Sequence, residues 1–405
     1  MWPGLLVAGA MVHAVLWTIS EPVSLFGDFY KAYYPVAERL WREGAHRTWD
    51  LGESMGLGFV NIPIVAWLFV PLAEFDMDDA GWVFLALGIA ASAAAWVILT
   101  RFARPEKNIG AVLLFFFLIN GPLVYSLREG NTSHFMLVLM VVALLLWNAR
   151  MDYAAGLVLG ACAIIKLPLL IFGAYFLLRQ RWRIVAGGVT MIGVTFLLSL
   201  ATFGAEINID WYKNCVEPFL GRVIPAFNVQ SIDGFLLRLK TGGGYLLHWE
   251  PVEPTLIHKV TRTLLFAAML GGTIWLLWRS NDRPSAPAES GALQPRDVSE
   301  YAFVLILALV ISPVSWTHYY LFLLLPWALY LGGRLPLPDD AVSRWLMWSG
   351  MLLSSLPVVI LPLGSGWVDE LISRTAVSAW LFGGLCMLAA LARGLWWITP
   401  RKTEL

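Results

Sequence analysis

The sequence predicts an all-α integral membrane protein: a polytopic helix bundle of about twelve transmembrane segments, with juxtamembrane helices on its outer side. Three observations predict it. Of 405 residues, 59% are hydrophobic and 14% charged, whereas a soluble domain carries about 25% charged residues. The apolar residues gather into runs close to the roughly 20 residues that span a bilayer. The short loops between those runs carry Arg and Lys in an order that lets them share one side. The 28 Lys and Arg balance 28 Asp and Glu, so the basic excess of a nucleic-acid binder is missing. The 21 Trp suit membrane–water interfaces, where ring and N–H are both satisfied. Cys162 and Cys386 fall in apolar runs and Cys215 in a polar loop, so no disulfide framework or metal spacing emerges.

Taken in order, the run Pro3 to Ser20 has no Lys or Arg before it and no small-residue cleavage site after it. It is expected to be a retained signal-anchor helix. A first outer loop, 21–79, follows. Within it Pro35 suits a first helical turn. From there Val36, Ala37, Leu40 and Trp41 form an apolar stripe opposite Glu38, Arg39 and Arg42, the pattern of a helix lying on a membrane surface. Val60 to Glu74, with Pro63 and Pro71, reads as a juxtamembrane element and not a span. Spans then cover 80–100, 109–126, 134–148, 184–203, 259–278, 345–361 and 373–392.

Two stretches are ambiguous. Residues 153–178 contain Lys166-Leu167-Pro168, and residues 300–332 contain Ser312-Pro313 followed by Ser315-Trp316-Thr317-His318. If each is one span, Arg179, Arg181 and Arg183 fall opposite Arg150 and Arg101/Arg104/Lys107. If each is a hairpin bent at its proline, all these basic loops share the cytoplasmic side. The hairpin reading also puts both termini there. A second large outer loop covers 204–258, with an amphipathic stretch Phe235 to Leu239. A cytoplasmic linker covers 280–299, rich in Ser, Pro, Ala and Gly from Asn281 to Gln294. The whole chain, 1–405, reads as one membrane-embedded domain.

Three residues carry the chemistry. Asp28 lies where the first run meets the interface, and a carboxylate at that depth is costly unless paired or functional. It either caps a helix and pairs with Lys31, or acts as a general base where a lipid-linked substrate meets an aqueous one. Lys166 at a helix centre would cost about 2.5–3.5 kcal/mol. At the tip of an outer hairpin that cost falls, and the ammonium faces whatever anion lies there; the alternative is a snorkelling lysine without a ligand. His318 occupies the other tip with Trp316 beside it. Weaker candidates are Arg128 and Asn131 in a polar outer turn, Asn228 and Ser231 before the amphipathic stretch, Arg222 as a helper cation, and Tyr33 near Asp28. No Walker motif, dinucleotide fingerprint or His-Glu-x-x-His pattern is present. A nucleotide-sugar donor on a soluble domain and a zinc hydrolase are therefore unsupported. Asp76, Asp78 and Asp79 read as a solvated turn and not a metal cluster.

These motifs resemble glycosyltransferase family 87, which has the GT-C architecture. The resemblance rests on Gly27-Asp28-Phe29-x-x-Ala-Tyr33-Tyr34-x-x-Ala37 and on Ile165-Lys166-Leu167-Pro168 followed by Leu177-Leu178-Arg179-x-Arg181-Trp182. It rests also on Asn228-x-Gln230-Ser231 and on Ser312-Pro313-x-Ser315-Trp316-x-His318-Tyr319. They occur in the family's order, from about residue 26 to about residue 320. The resemblance implies an enzyme moving a sugar, typically mannose, from a polyprenyl-phosphate donor to a lipid or glycan acceptor. Transfer occurs on the periplasmic or exterior face of the inner (plasma) membrane. It assigns the catalytic base to Asp28 and the Ser-Trp-x-His motif to His318. The donor lipid is a co-substrate, and no cofactor, divalent metal or nucleic acid is implied. The chain departs from the family at Asn61-Ile62-Pro63, where Tyr-Pro-Pro is usual. It departs again at Gly130-Asn131-Thr132-Ser133, where Gly-Gln-x-Asn is usual; both bear on specificity more than on reaction class. The contrary class is a flippase or secondary transporter for a lipid-linked sugar, which would place polar sites at the midplane of repeated halves. No repeat is visible, and the polar clusters gather at one face.

Overall fold

The computed structural model describes residues 2–19, 25–44, 59–103, 108–279, 293–358 and 366–397. In chain order its helices are α1 (Trp2–Ile19), α2 (Tyr34–Glu43), α3 (Met77–Phe102), α4 (Ile109–Ile119), α5 (Gly121–Arg128) and α6 (Ser133–Asn148). There follow α7 (Asp152–Ile165), α8 (Ile171–Leu178), α9 (Trp182–Trp211), α10 (Ile232–Thr241) and α11 (Leu256–Arg279). The last are α12 (Pro295–Ile311), α13 (Leu324–Leu331), α14 (Ala341–Ser354), α15 (Trp367–Arg374) and α16 (Ala379–Trp397). Among the described residues there is no strand, only the isolated bridges Val223–Val252 and Val229–Trp316.

Four helical runs are long and apolar enough to cross a membrane: Met77–Phe102, Trp182–Phe219, Leu256–Arg279 and Trp367–Trp397. A fifth crossing is available if α4 and α5, bent by 56°, count as one. The chain is therefore a polytopic membrane protein. The bend falls at Asn120, whose side chain caps α5 by accepting from Leu123 N–H at 2.9 Å, inside the run 109–126 expected as one span.

Contacts at the helix ends sort the bundle into two ends. At one, Leu293 N–H donates to Asn148 Oδ1 at 3.0 Å, Arg334 Nε to Phe102 O at 3.1 Å, and Arg393 pairs with Asp340 at 2.6 Å. Arg179 and Arg296 both pair with buried Glu300 there. At the other end, Arg128 reaches Trp17 O at 2.6 Å and Lys166 reaches Asn131 Oδ1 at 3.1 Å.

Between these ends α7 and α9 run parallel. A Cβ on Gly156 would meet Ile184 O at 2.0 Å, and one on Gly160 would meet Gly188 O at 2.8 Å. Two parallel helices leave room for a return pass, and α8 makes it. The reversal starts at Lys166, which has φ −130° and ψ 88°, just ahead of Leu167-Pro168. Pro168 sits in the first turn of a 3-10 helix, Leu167–Leu170, a place that proline suits, so the break falls two residues before it. The second break falls directly at its proline: Ser312, ahead of Pro313, has ψ 131°, as the residue before a proline is biased out of helical geometry. A short 3-10 turn, Thr317–Leu323, and α13 then carry the chain back to Arg334.

Helix α12 is the axis of the bundle. Every residue from Val298 to Val310 is buried, as befits a helix apolar on all sides. By contrast, α11 buries only His258, Thr273 and Leu277 and leaves the rest of its apolar surface for lipid. The segment 280–299, expected as linker, is corrected at its end: Pro295 starts α12, because Val298 and later residues find a core to fill. Residues 280–292 lie outside the described residues.

Helix α2 starts at Tyr34-Pro35 and buries Val36, Ala37 and Leu40. Trp41 departs from the expected stripe and is 54% exposed. It lies one residue too far round a 100° step to share the inner face. Residues 60–74 form two short 3-10 helices, Pro63–Leu68 and Val70–Glu74, packed under α2. Asp76 caps α3 by accepting from Asp79 N–H at 3.0 Å, and Asp78 accepts from Tyr30 Oη at 2.9 Å. The acidic trio is thus a helix start.

Candidate functional site

The site is built where the segment Phe26–Phe29, ahead of α2, is stitched to the turn between α5 and α6. Phe26 N–H donates to Arg128 O at 2.7 Å. Asp28 N–H and Phe29 N–H both donate to Glu129 O, at 2.9 and 3.2 Å. The turn closes through Gly130, at φ +66°, a conformation that only glycine adopts without strain. A side chain there would also strike Phe29, since an added Cβ would lie 2.6 Å from Phe29 Cβ.

Next in the turn, Asn131 bridges the two charged candidates. Its amide Nδ2 donates to Asp28 Oδ2 at 2.6 Å, and its Oδ1 accepts from Lys166 Nζ at 3.1 Å. Ser133 N–H and Oγ also donate to Oδ1, at 3.1 and 2.9 Å. These donors fix which way the amide points, so Asn131 must present its NH₂ to the carboxylate. Lys166 is 5% exposed, and its ammonium lies 4.7 Å from the centre of the Tyr319 ring, a cation–π contact. Tyr33 stacks on Phe69 at 4.5 Å and walls the same region.

His318 stands beside this chain. Its ring lies between Tyr125, at 6.2 Å, and Trp316, at 6.5 Å. It is 6% exposed, and among the described residues neither ring nitrogen has a hydrogen-bond partner. Buried polar atoms are normally satisfied, so two orphaned nitrogens in one ring mark a place where a ligand completes the structure.

Burial raises both carboxyls at the site. Asp28 keeps some exposure, yet desolvation raises its carboxyl above the usual range. The Asn131 hydrogen bond and the positive charges of Lys166 and Lys31 oppose that rise. In Glu129, 8% exposed, burial and the neighbouring Asp28 charge push the carboxyl up to about 8, against a hydrogen bond from the Asp28 backbone N–H and the charges of Lys31 and Arg128. No group of three His, Cys, Asp or Glu able to hold a metal forms among the described residues.

An apolar cavity of about 630 Å³ abuts the cluster. Ile165, Leu167, Pro168, Ile192, Phe196, Trp211, Phe219, Pro313, Trp316 and Tyr319 are among its walls. Its wall includes the Tyr319 ring that holds the Lys166 ammonium, and Ile165 and Leu167 on either side of Lys166.

The sequence model of glycosyltransferase family 87 matches residues 59–293, more than half of the chain. The chain belongs to glycosyltransferase family 87. It is thus a membrane glycosyltransferase. It is 27% identical over 407 residues to a relative from Mycolicibacterium smegmatis (strain ATCC 700084 / mc(2)155). That relative is a polyprenol-phosphate-mannose-dependent alpha-(1-2)-phosphatidylinositol pentamannoside mannosyltransferase, and the match covers 98% of this chain and 90% of the relative. No solved structure matches the chain. The family match includes Arg128, Asn131, Lys166, Arg222, Asn228 and Ser231 but stops short of Asp28 and Tyr33 on one side and of Trp316 and His318 on the other.

Of the family 87 candidates, the structure gathers Asp28, Tyr33, Asn131, Lys166, Trp316 and His318. Asn228 lies beside them: its backbone O accepts from Thr317 N–H at 2.8 Å and Thr317 Oγ1 at 3.1 Å, and its Oδ1 from Trp249 Nε1 at 3.0 Å. It thereby docks the segment between α9 and α10 on the His318 tip. Ser231 has a structural task, capping α10 by accepting from Gly234 N–H at 3.0 Å while donating to Pro313 O at 3.1 Å. Arg128 turns to α1, with its guanidinium 5.5 Å from the centre of the Trp17 ring. Arg222 is exposed and does not join the cluster, a correction with a simple cause: the backbone around Val223 is pinned by its bridge to Val252. Sequence reasoning passed over Glu129, Tyr125 and Tyr319. Their one available signal was adjacency to Arg128, Asn131 and His318 in the chain.

Proposed function

We propose that this enzyme transfers a sugar, mannose in the first instance, from a polyprenyl-phosphate donor to a hydroxyl of a lipid or glycan acceptor. Transfer proceeds with inversion at C1, on the extracytoplasmic side of the inner (plasma) membrane, in a GT-C-type bundle of twelve crossings. The donor lipid is a co-substrate, and no resident cofactor or metal takes part in this scheme.

The observation that carries the reading is the Asp28–Asn131–Lys166 chain beside an apolar cavity, with Lys166 held against its Tyr319 wall. A polyprenyl phosphate has the matching parts: an apolar tail for the cavity, an anion for Lys166, and a sugar lying toward Asp28. Asp28 takes the proton of the acceptor hydroxyl as that oxygen forms its bond to C1. The bond from C1 to the phosphate oxygen breaks, and its electron pair leaves on the polyprenyl phosphate. Negative charge thus grows on the phosphate as the reaction proceeds. A fixed ammonium stabilises that charge more in the transition state than in the ground state. The orphaned nitrogens of His318 are a second place for the same anion to be held. Asn131 keeps base and cation in register.

Orientation is supported by the end remote from the site, which holds Arg101, Arg150, Arg179, Arg181, Arg183, Arg279, Arg296, Arg334, Arg344 and Arg393. Such enrichment marks the cytoplasmic side. The crossing number is supported by the alternation of helix ends from α1 to α16, with both proline-broken stretches counted as two passes. The name of the mycobacterial relative supports mannose.

The test is transfer by purified protein in detergent, with radiolabelled polyprenyl-phosphomannose and mannosylated phosphatidylinositol as acceptor. Labelled glycoside that disappears in Asp28→Asn supports the reading. Movement of the intact donor across liposomes with no glycoside formed overturns it.

A further inference from the structure

Among the described residues no charged side chain lines the apolar cavity, and most polar ones in its wall are spent within the protein. Ser312 Oγ donates to Val314 O at 2.9 Å, Trp211 Nε1 to Val60 O at 3.1 Å, and Cys215 Sγ to Phe59 O at 3.6 Å. Thr195 turns its hydroxyl back on its own helix, toward Met191 Sδ at 3.9 Å. Asn61 differs. It lines the cavity and is 7% exposed, and among the described residues its amide makes no hydrogen bond. Nor is the amide sealed within the protein, so it opens on the space that the residue lines. A buried amide is normally satisfied, and leaving one dry between apolar walls costs free energy. The backbone around it is fixed: Phe59 O and Val60 O are the acceptors just named, and Ile62 O accepts from Val65 N–H at 3.0 Å. Phe59 also packs edge-on against Tyr33 at 6.2 Å. Asn61 is thus held two residues from a wall of the site, in a cavity that reaches the Tyr319 ring under Lys166. It also stands where the chain departs from the usual Tyr-Pro-Pro.

We propose that Asn61 binds the phosphate of an isoprenyl phosphate, its amide N–H donating to a non-bridging phosphate oxygen. An isoprenoid tail brings no acceptor into an apolar space, so the amide answers the head of the lipid and not its length. A hydrogen bond to an ionised acceptor is about twice as strong as one between neutral groups, and a pocket of this kind fixes orientation with few polar groups. Lys166 then supplies the charge and Asn61 the direction. The identity of the lipid rests on the transferase reading, but the contact itself is a binding property.

Tritiated polyprenyl phosphate and the matching polyprenol serve as probes, with affinity measured on the full-length protein in detergent. Asn61→Leu, close in volume and without the amide, is expected to weaken polyprenyl phosphate about tenfold, the size of one hydrogen bond to a charged group. Polyprenol, which has the tail without the anion, is expected to bind wild type and variant alike, and so reports that the cavity is intact. Asn61→Ala, read in the same way, covers the case in which leucine does not fit. Equal binding of polyprenyl phosphate by wild type and variants overturns the assignment, as does a wild type that binds none. Loss of both lipids together, in a variant that keeps its unfolding temperature, also overturns it, because the role is then one of shape. If only polyprenyl-phosphomannose is weakened, and polyprenyl phosphate is not, Asn61 contacts the sugar and the phosphate assignment falls. If the lipid phosphate is held through Asn61 yet no sugar is transferred, the transferase reading falls and this assignment stands.

Discussion

Two side-chain clusters at opposite ends of the bundle treat charge in opposite ways. At the end remote from the site, Glu300 is fully buried and takes Arg179, Arg296 and the Tyr175 hydroxyl together. Arg393 and Arg344 are likewise matched by Asp340 and Asp339. At the site end, Asp28 shares one amide with Lys166, and among the described residues His318 has two idle nitrogens. Both hairpins run from one end to the other, so the same helices are anchored by saturated ion pairs and present unsaturated groups. A closed network is what holds a tip in place; an open one is what a substrate can close.

The contrast can be broken from either end. The largest effect is expected for Asp28→Asn, which removes the base and lowers transfer about 10²–10⁴-fold while the melting temperature in detergent holds. The wild-type rate should fall with acid, because only the ionised form of Asp28 accepts a proton. Since desolvation raises that carboxyl, the decline begins above the usual carboxylate range, and a pH–rate profile at saturating substrates reads it. Glu300→Ala works on the other end. It removes the buried carboxylate that two half-buried arginines share, at a cost of about 3 kcal/mol, and is expected to lower the unfolding temperature while turnover per folded molecule is kept.

Lys166→Met comes next. Loss of the cation at the departing phosphate is expected to lower kcat about 10²–10³-fold, with the donor KM changed less, measured by initial rates. The smallest effect is Ser231→Ala, which removes a helix cap worth about 1 kcal/mol and should register in thermal unfolding but not in kcat. A variant at Ser231 that abolished turnover would erase the distinction drawn between the tip and its supports.

Much of this contrast was legible in the sequence, because it follows from local rules. Pro168 and Pro313 break helices wherever they stand, and the cost of a lysine in lipid pushes Lys166 to a tip. Arg179 and its neighbours reveal which way the tips point. What escaped was pairwise. Arg128 and Arg222 look alike as helper cations, but one is spent on Trp17 and the other stays at the surface. Glu129 looked like loop chemistry because nothing near it in the chain shows that Asp28, a hundred residues earlier, lies against it. The start of α12 inside a linker-like segment was hidden for a similar reason: only the surrounding helices make Val298 a core residue.

The glycine seam between α7 and α9 has a consequence for depth. Gly156 and Gly187 touch backbone to backbone, in the manner of small-residue helix contacts in membranes. Neither helix can slide along the other without a carbonyl striking a main chain. The height of Lys166 above that seam is therefore a fixed length of the protein, set some ten residues away and independent of any group at the site. In a thicker or thinner bilayer the lipid must adjust around that ruler. The phosphate of a bound donor would then be lifted or lowered to meet the ammonium, and not the reverse.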